Sequence, residues 1–380
     1  MLQRRSHRLR LAALTSAAVI GLGLVGSTPA LAGGNHSGGT PKVVATGLDN
    51  PRQLSFTRSG DLLVAESGEG GAAPCVSGPE GASVCFGTTG AITRISSKGR
   101  QSRIITGLPS LAEPGTGASA TGPSDVVAAG GGLAVLIGLG GTPEARDGLP
   151  AAGRRMGTLV QTTNGRSFRT VADLAAWEAA ENPIEDVDSN PTGLLAEDGR
   201  YVVADAGGNT VLGVGRRGGI RQLAAFESRL VDAPPFLELP PGTQIPMQAV
   251  PTSVATKGHD GAYYVSQLTG FPFPKGAANI YRIDPRSGRT TVYAAGLTNV
   301  TDLAFRGRSL YAVQVATEGL LNGPVGSVVK VRPGATAPAD HRVVVGDLPS
   351  PYGIALRGGH AYVTTHSAEK DAGEVIRIRI

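Results

Sequence analysis

The amino-acid sequence predicts an all-β protein, a six-bladed β-propeller of four-stranded blades whose ring is closed by the N-terminal strand joining the last blade. Three observations carry that expectation. One pattern recurs six times at spacings near 50 to 70 residues, which suits a four-stranded blade with its loops. The chain holds 56 glycines and only 17% charged residues, with short apolar runs, turn residues and almost no helical periodicity. The sixth copy also stops after three strands, while an unassigned strand precedes the first.

The first 32 residues read as an export signal. Arg4, Arg5, Arg8 and Arg10 precede an apolar run from Leu11 to Val25, and Ala30-Leu31-Ala32 supplies the small-residue exit. The run is too short for a spanning anchor, so a secreted protein without a stable membrane anchor after cleavage is expected. Arg4-Arg5 suits the twin-arginine route, and the polar Ser6-His7 after it suits the ordinary secretory route. Cleavage takes four of the 35 Lys and Arg residues and none of the 30 Asp and Glu, leaving a net charge of +1. The basic balance of the full chain therefore gives no reason to expect nucleic acid as a partner. Residues 33–39 form a small, polar, flexible linker, and residues 40–380 are the propeller.

The first copy reads Gly47-Leu48-Asp49-Asn50-Pro51-Arg52-Gln53-Leu54, then Gly60 to Glu66, then Gly90-Ala91-Ile92-Thr93-Arg94-Ile95. The later copies open at Gly122-Pro123-Ser124-Asp125, Asn190-Pro191-Thr192-Gly193, Val250-Pro251-Thr252-Ser253, Asn299-Val300-Thr301-Asp302 and Ser350-Pro351-Tyr352-Gly353. From each lead-in proline, or the residue in its place, a polar or glycine position lies 14 to 16 residues on: Glu66, Gly138, Asp205, Gln267, Gln314 and His366. The last copy ends with Glu374 to Ile380 as its third strand, and residues 40–46 read as the missing outer strand. Joining the termini removes an open sheet edge.

Cys75 and Cys85 are the only cysteines, and in an exported chain they are expected to pair. Metal ligation by the two is the weaker reading, because no His or further Cys sits at ligand spacing.

In a four-stranded blade the innermost strand starts on one face and the second strand ends on that same face. The lead-ins and the six polar positions are therefore expected to share an axial mouth. The long excursions project there too, at residues 67–89, 139–156, 268–277, 315–325 and 367–373, and long loops on a rigid scaffold are where binding is built. Arg52, Glu66, Asn190, Asp205, Gln267, Gln314 and His366 are the candidate ligand contacts. Phe271 and Phe273 add an apolar wall, or pack their own loop onto its neighbours. His366 is the one histidine at a second-strand end and the weak candidate for a general base, against the structural role usual for a lone histidine; His259 and His360 sit in turns. Residues 173–189 read as a short helix from Leu174 to Trp177 running into Glu178, Glu181, Glu185, Asp186 and Asp188. That segment is either a Ca2+ site near Asp205 or a solvated charge cluster. No nucleophile elbow, phosphate-binding glycine loop, Cys-His pair or haem motif is present.

Several segments resemble the ScyD/ScyE family of exported propellers, relatives of NHL-repeat proteins, across essentially the whole mature chain. They are Ala45-Thr46-Gly47-Leu48 with Asn50-Pro51, Ala65-Glu66-Ser67-Gly68 leading to the Cys75 and Cys85 loop, and Phe86-Gly87. Further carriers are Ala172-Asp173-Leu174, Glu178, Asn182-Pro183, Asp188 to Pro191 and Ala204 to Asn209. The resemblance implies export and a propeller and, in cyanobacteria, an association with making an extracellular sunscreen pigment. It supplies no catalytic residue set.

Three functions follow as expectations. The first is an extracellular propeller binding a small molecule, glycan or protein at its loop-rich axial face. The second is a metal-dependent enzyme resembling the gluconolactonase and strictosidine synthase-like propellers, with an axial cation such as Ca2+ held by Glu66, Asn190 and Asp205. The third is a quinone-dependent sugar dehydrogenase, for which Arg52 and His366 are the available cofactor contacts.

Overall fold

The computed structural model describes residues 39–380 apart from 79, 80, 183, 185, 186 and 259. The expected signal, nearly all of the linker, Glu185, Asp186 and His259 lie outside the described residues.

Six four-stranded antiparallel sheets form the ring. Strand β1 (Lys42–Leu48) comes first in the chain and belongs to the last blade. Blade 1 is β2 (Pro51–Phe56), β3 (Leu62–Glu66), β5 (Ser83–Ile95) and β6 (Gln101–Ala112), with a short β4 (Cys75–Ser77) added to β5. Blade 2 is β7 (Pro123–Ala129), β8 (Gly132–Ile137), β9 (Thr158–Thr162) and β10 (Arg169–Asp173), and blade 3 is β11 (Pro191–Glu197), β12 (Arg200–Asp205), β13 (Thr210–Val214) and β14 (Ile220–Ala225). A hairpin of β15 (Arg229–Asp232) and β16 (Gln244–Met247) interrupts the ring before blade 4, an insertion the repeat pattern does not announce. Blade 4 is β17 (Pro251–Thr256), β18 (Tyr263–Gln267), β19 (Ala278–Ile283) and β20 (Thr290–Leu297). Blade 5 is β21 (Val300–Arg306), β22 (Ser309–Gln314), β23 (Val325–Val331) and β24 (Arg342–Pro349). Blade 6 is β25 (Ile354–Arg357), β26 (His360–Thr365) and β27 (Gly373–Arg379), completed by β1.

The closure expected from residues 40–46 is present: β1 pairs antiparallel with β27 from Lys42 opposite Arg377 to Leu48 opposite Gly373. The apolar residues divide into six clusters, one between each pair of neighbouring blades, rather than one central core. This explains why the second strands read as continuous apolar runs. In β3 every residue is buried, because Leu63 and Ala65 pack toward blade 2 while Leu62 and Val64 pack toward blade 6. Outer strands alternate instead, as in β1, where the pattern is mostly exposed with Ala45 and Leu48 turned in.

Cys75 and Cys85 sit opposite each other across β4 and β5 and form the expected disulfide, which pins the excursion of blade 1. Two helices cap the rim: α1 (Pro143–Asp147) and α2 (Leu174–Glu181). Asp173 caps α2 by accepting from the Ala176 N–H, so the short helix expected there is present. Among the described residues no helix is long and apolar enough to cross a membrane.

Candidate functional site in the axial cavity

The six recurrent second-strand positions have a structural cause. In blades 1, 3, 4 and 5 the position lies opposite the start of the first strand, in the register pairs of Pro51 with Glu66, Pro191 with Asp205, Pro251 with Gln267 and Val300 with Gln314, while Gly138 and His366 fall just past the ends of β8 and β26. In blades 1, 3 and 5 the side chain folds back from there onto the lead-in turn. Glu66 Oε2 accepts from the Asp49 N–H at 2.8 Å, Asp205 Oδ1 from the Asn190 N–H at 2.7 Å and Gln314 Oε1 from the Thr298 N–H at 2.7 Å. The remaining bonds run outward along the blade. Glu66 also takes the Thr93 hydroxyl and the Arg103 guanidinium, Gln314 donates to Ser327, and Gln267 accepts from the Asn279 N–H. Asp205 takes the Ser189 hydroxyl and the Gly208 N–H, and burial raises its pKa to about 6.

These side chains therefore do not converge on the axis, which corrects the expected common pocket. Glu66, Asn190 and Asp205 do not form one cation set, since Glu66 is saturated within blade 1 and Asp205 within blade 3. Among the described residues no group of three or more His, Cys, Asp and Glu side chains is placed to hold a metal ion. In the acidic segment Asp173 binds Arg146 at 2.6 Å, while Glu178 is fully buried against Gly208. His366 stands at the rim with Nδ1 3.2 Å from Glu369, and Gly138 contributes backbone only, its N–H donating to the Gly122 carbonyl. Phe271 and Phe273 pack edge to face at 6.3 Å, and Phe271 meets Phe236 of the β15–β16 insertion at 6.1 Å, so they brace two loops.

What does reach the axis is the innermost strand. A cavity of about 540 Å³ opens on the lead-in face and takes lining residues from all six blades. Arg52 and Asn190 line it; Glu66, Asp205, Gln267, Gln314, His366, Phe271 and Phe273 do not. Arg52 donates from Nη1 to the Ser367 carbonyl and from Nη2 to the Ala120 carbonyl, and its guanidinium lies 5.0 Å from the centroid of the Tyr352 ring. The other charged lining residue, Glu113, is engaged by the Ser119 hydroxyl at 2.6 Å. Asn190 brings its amide to the same wall, held there because Asp205 fixes its backbone.

Beneath the cavity the second residue after each lead-in proline, or after Val300 in its place, forms an inner ring: Gln53, Asp125, Gly193, Ser253, Asp302 and Gly353. Gln53 spans the axis, donating from Nε2 to the Thr252 carbonyl at 2.9 Å and the Thr301 carbonyl at 3.4 Å. Asp125 of blade 2 accepts from the Leu194 N–H of blade 3, and Asp302 of blade 5 from the Ile354 N–H of blade 6, so each carboxyl staples its blade to the next. Asp302 also takes the Ser253 hydroxyl of blade 4 at 2.6 Å. Burial pushes Asp302 up to about 7; burial, then the charge of Asp302, pushes Asp125 well above the ordinary range. Gly193 and Gly353 occur where the next blade passes too close for a side chain, since a Cβ would lie 2.6 Å from Ser253 Cα and from the Arg52 carbonyl oxygen respectively.

No known family and no curated protein matches the sequence. Solved structures do match in fold. A protein of unknown function from Bacteroides thetaiotaomicron superposes with a TM-score of 0.51 at 10% identity, covering 90% of this chain and 73% of that one. A putative gluconolactonase gives 0.48 at 13% identity over 89% and 91% of the two chains, and virginiamycin B lyase from Staphylococcus aureus gives 0.46 at 12% over 90% and 99%. At such identities the likeness is one of fold. The ScyD/ScyE resemblance rests on the sequence segments quoted above.

Proposed function

We propose that this chain is an exported binding propeller that holds a small organic molecule with one anionic or strongly accepting group in its axial cavity, against Arg52 and Tyr352. The cavity itself carries the reading. About 540 Å³ lies within the range of small-molecule sites, and its wall mixes a few fixed polar groups with apolar ones such as Leu268, Val315 and Leu320. Arg52 is the one cation in that wall. Two carbonyls and an aromatic face hold it before any ligand arrives, so little side-chain freedom remains to be lost on binding.

The test is a thermal-shift screen of the exported chain against small carboxylic acids, lactones and neutral saccharides, with hits measured by calorimetry. Leu320→Trp enlarges a partly exposed lining side chain while keeping Arg52, and is expected to abolish binding while leaving the melting temperature unchanged. A hit that binds the filled variant as tightly as the native chain overturns the assignment, as does a screen in which no acid, lactone or saccharide binds.

A further inference from the structure

The opposite face of the ring is built from the turns between first and second strands and between third and fourth strands. There, at blade 3 and the start of β18, lies a second cavity of about 820 Å³. Four arginines line it. Arg200 begins β12, Arg216 and Arg217 occupy the turn between β13 and β14, and Arg221 lies on β14. All four are exposed, and none of their side chains makes an ion pair or a hydrogen bond among the described residues.

The acids nearby leave the guanidiniums uncompensated. Glu197 accepts from the Tyr263 hydroxyl at 3.1 Å, and burial followed by that carboxylate's charge pushes the Tyr263 phenol up, so it remains a donor. Asp198 is the only other acid in the wall. Space is left by glycines: Gly213 pairs directly with Arg221 across the strands, and a Cβ on Gly219 would meet nothing within 4 Å. A glycine inside a strand is a place where another molecule can approach the backbone closely.

We infer that this cavity binds an anion carrying several phosphate or sulfate groups. Guanidinium forks match tetrahedral oxyanions in pairs of parallel hydrogen bonds. Four forks spread over two strands and a turn suit more than one such group, and the exposed setting makes the binding weaken with salt.

The experiment titrates the exported chain at low ionic strength with tripolyphosphate and, separately, with a heparin-derived hexasaccharide. One-to-one binding of either probe is expected, and which binds tighter tells phosphate from sulfate. Arg216→Glu with Arg217→Glu is expected to weaken binding by about a hundredfold or more, since two charge-assisted contacts are lost. Gly219→Phe keeps every charge and fills the cavity, so it is expected to weaken binding about tenfold. Lys98→Ala with Arg100→Ala, on the corresponding exposed turn of blade 1, is expected to change binding by less than about twofold. Absence of binding by both probes overturns the inference. So does an equal loss in the blade 1 variant, or full affinity in Gly219→Phe, since either means attraction by surface charge alone.

Discussion

Replacing Arg103 by methionine tests how the ring is held shut. Arg103 on β6 donates through Nη2 to Glu66 at 2.7 Å, to Asp49 at 2.9 Å and to the Gly47 carbonyl at 3.0 Å. It thereby ties the outer strand of blade 1 to the end of the closing strand β1. Glu66 is fully buried while the Arg103 side chain is 38% exposed, so methionine leaves a buried carboxylate with only the Asp49 N–H and Thr93 hydroxyl. Removing one partner of a buried ion pair costs about 3–5 kcal/mol. The partial exposure of Arg103 places this site at the lower end, near 3 kcal/mol. For a propeller of about 340 residues that is a fall of roughly 4 °C in melting temperature, readable by scanning calorimetry. Adding Glu66→Gln to Arg103→Met removes the stranded charge and is expected to recover about half of the loss. A single variant that melts within about 1 °C of the native chain, or a double variant that melts lower than the single one, refutes the argument.

Deleting residues 40–46 exposes the edge of β27 and is expected to cause aggregation far beyond the loss of contacts, seen by light scattering; a soluble, cooperatively unfolding truncation counts against closure. Asp302 should make stability depend on pH. Its folded pKa of about 7 exceeds the unfolded value, so the folded state holds an extra proton and the contribution is full below about pH 4, then declines toward pH 7. The ceiling is about 4 kcal/mol, and Asp302→Asn is expected to flatten that slope in denaturant melts taken across the interval; an unchanged slope assigns it elsewhere. Replacing Cys75 and Cys85 by serine is expected to speed amide exchange within residues 72–86 while lowering the melting temperature by no more than about 4 °C, since closing so short a loop is worth about 3 kcal/mol. Faster exchange spread over distant blades would show that the disulfide serves the whole ring.

The blades were legible because their constraints are local and repeated: the lead-in, the run buried on both sides, the turn. The closing strand was legible from a deficit, a sixth copy one strand short. The recurrent polar position was visible for the same reason, but recurrence gives a position and not a direction. Glu66, Asp205 and Gln314 recur because the lead-in turns of their blades take an acceptor for an N–H, which is a need of the fold and not of a ligand. The inner ring was within reach, since Asp125 and Asp302 stand at matching places in their lead-ins. Their partners, however, are the Leu194 and Ile354 N–H groups, 69 and 52 residues away, and no local pattern announces those. The arginine cavity was hidden in the same way, its four cations spread over two strands and a turn that looks like any solvated loop.

The Gln53 amide that crosses the axis fastens blade 1 to blades 4 and 5 on the far side of the ring. The two cavities share no lining residue and lie on opposite faces, so an oxyanion proposed for one does not compete with a small acid proposed for the other. With both proposed sites filled, the chain would join a small molecule on one face to a polyanion on the other.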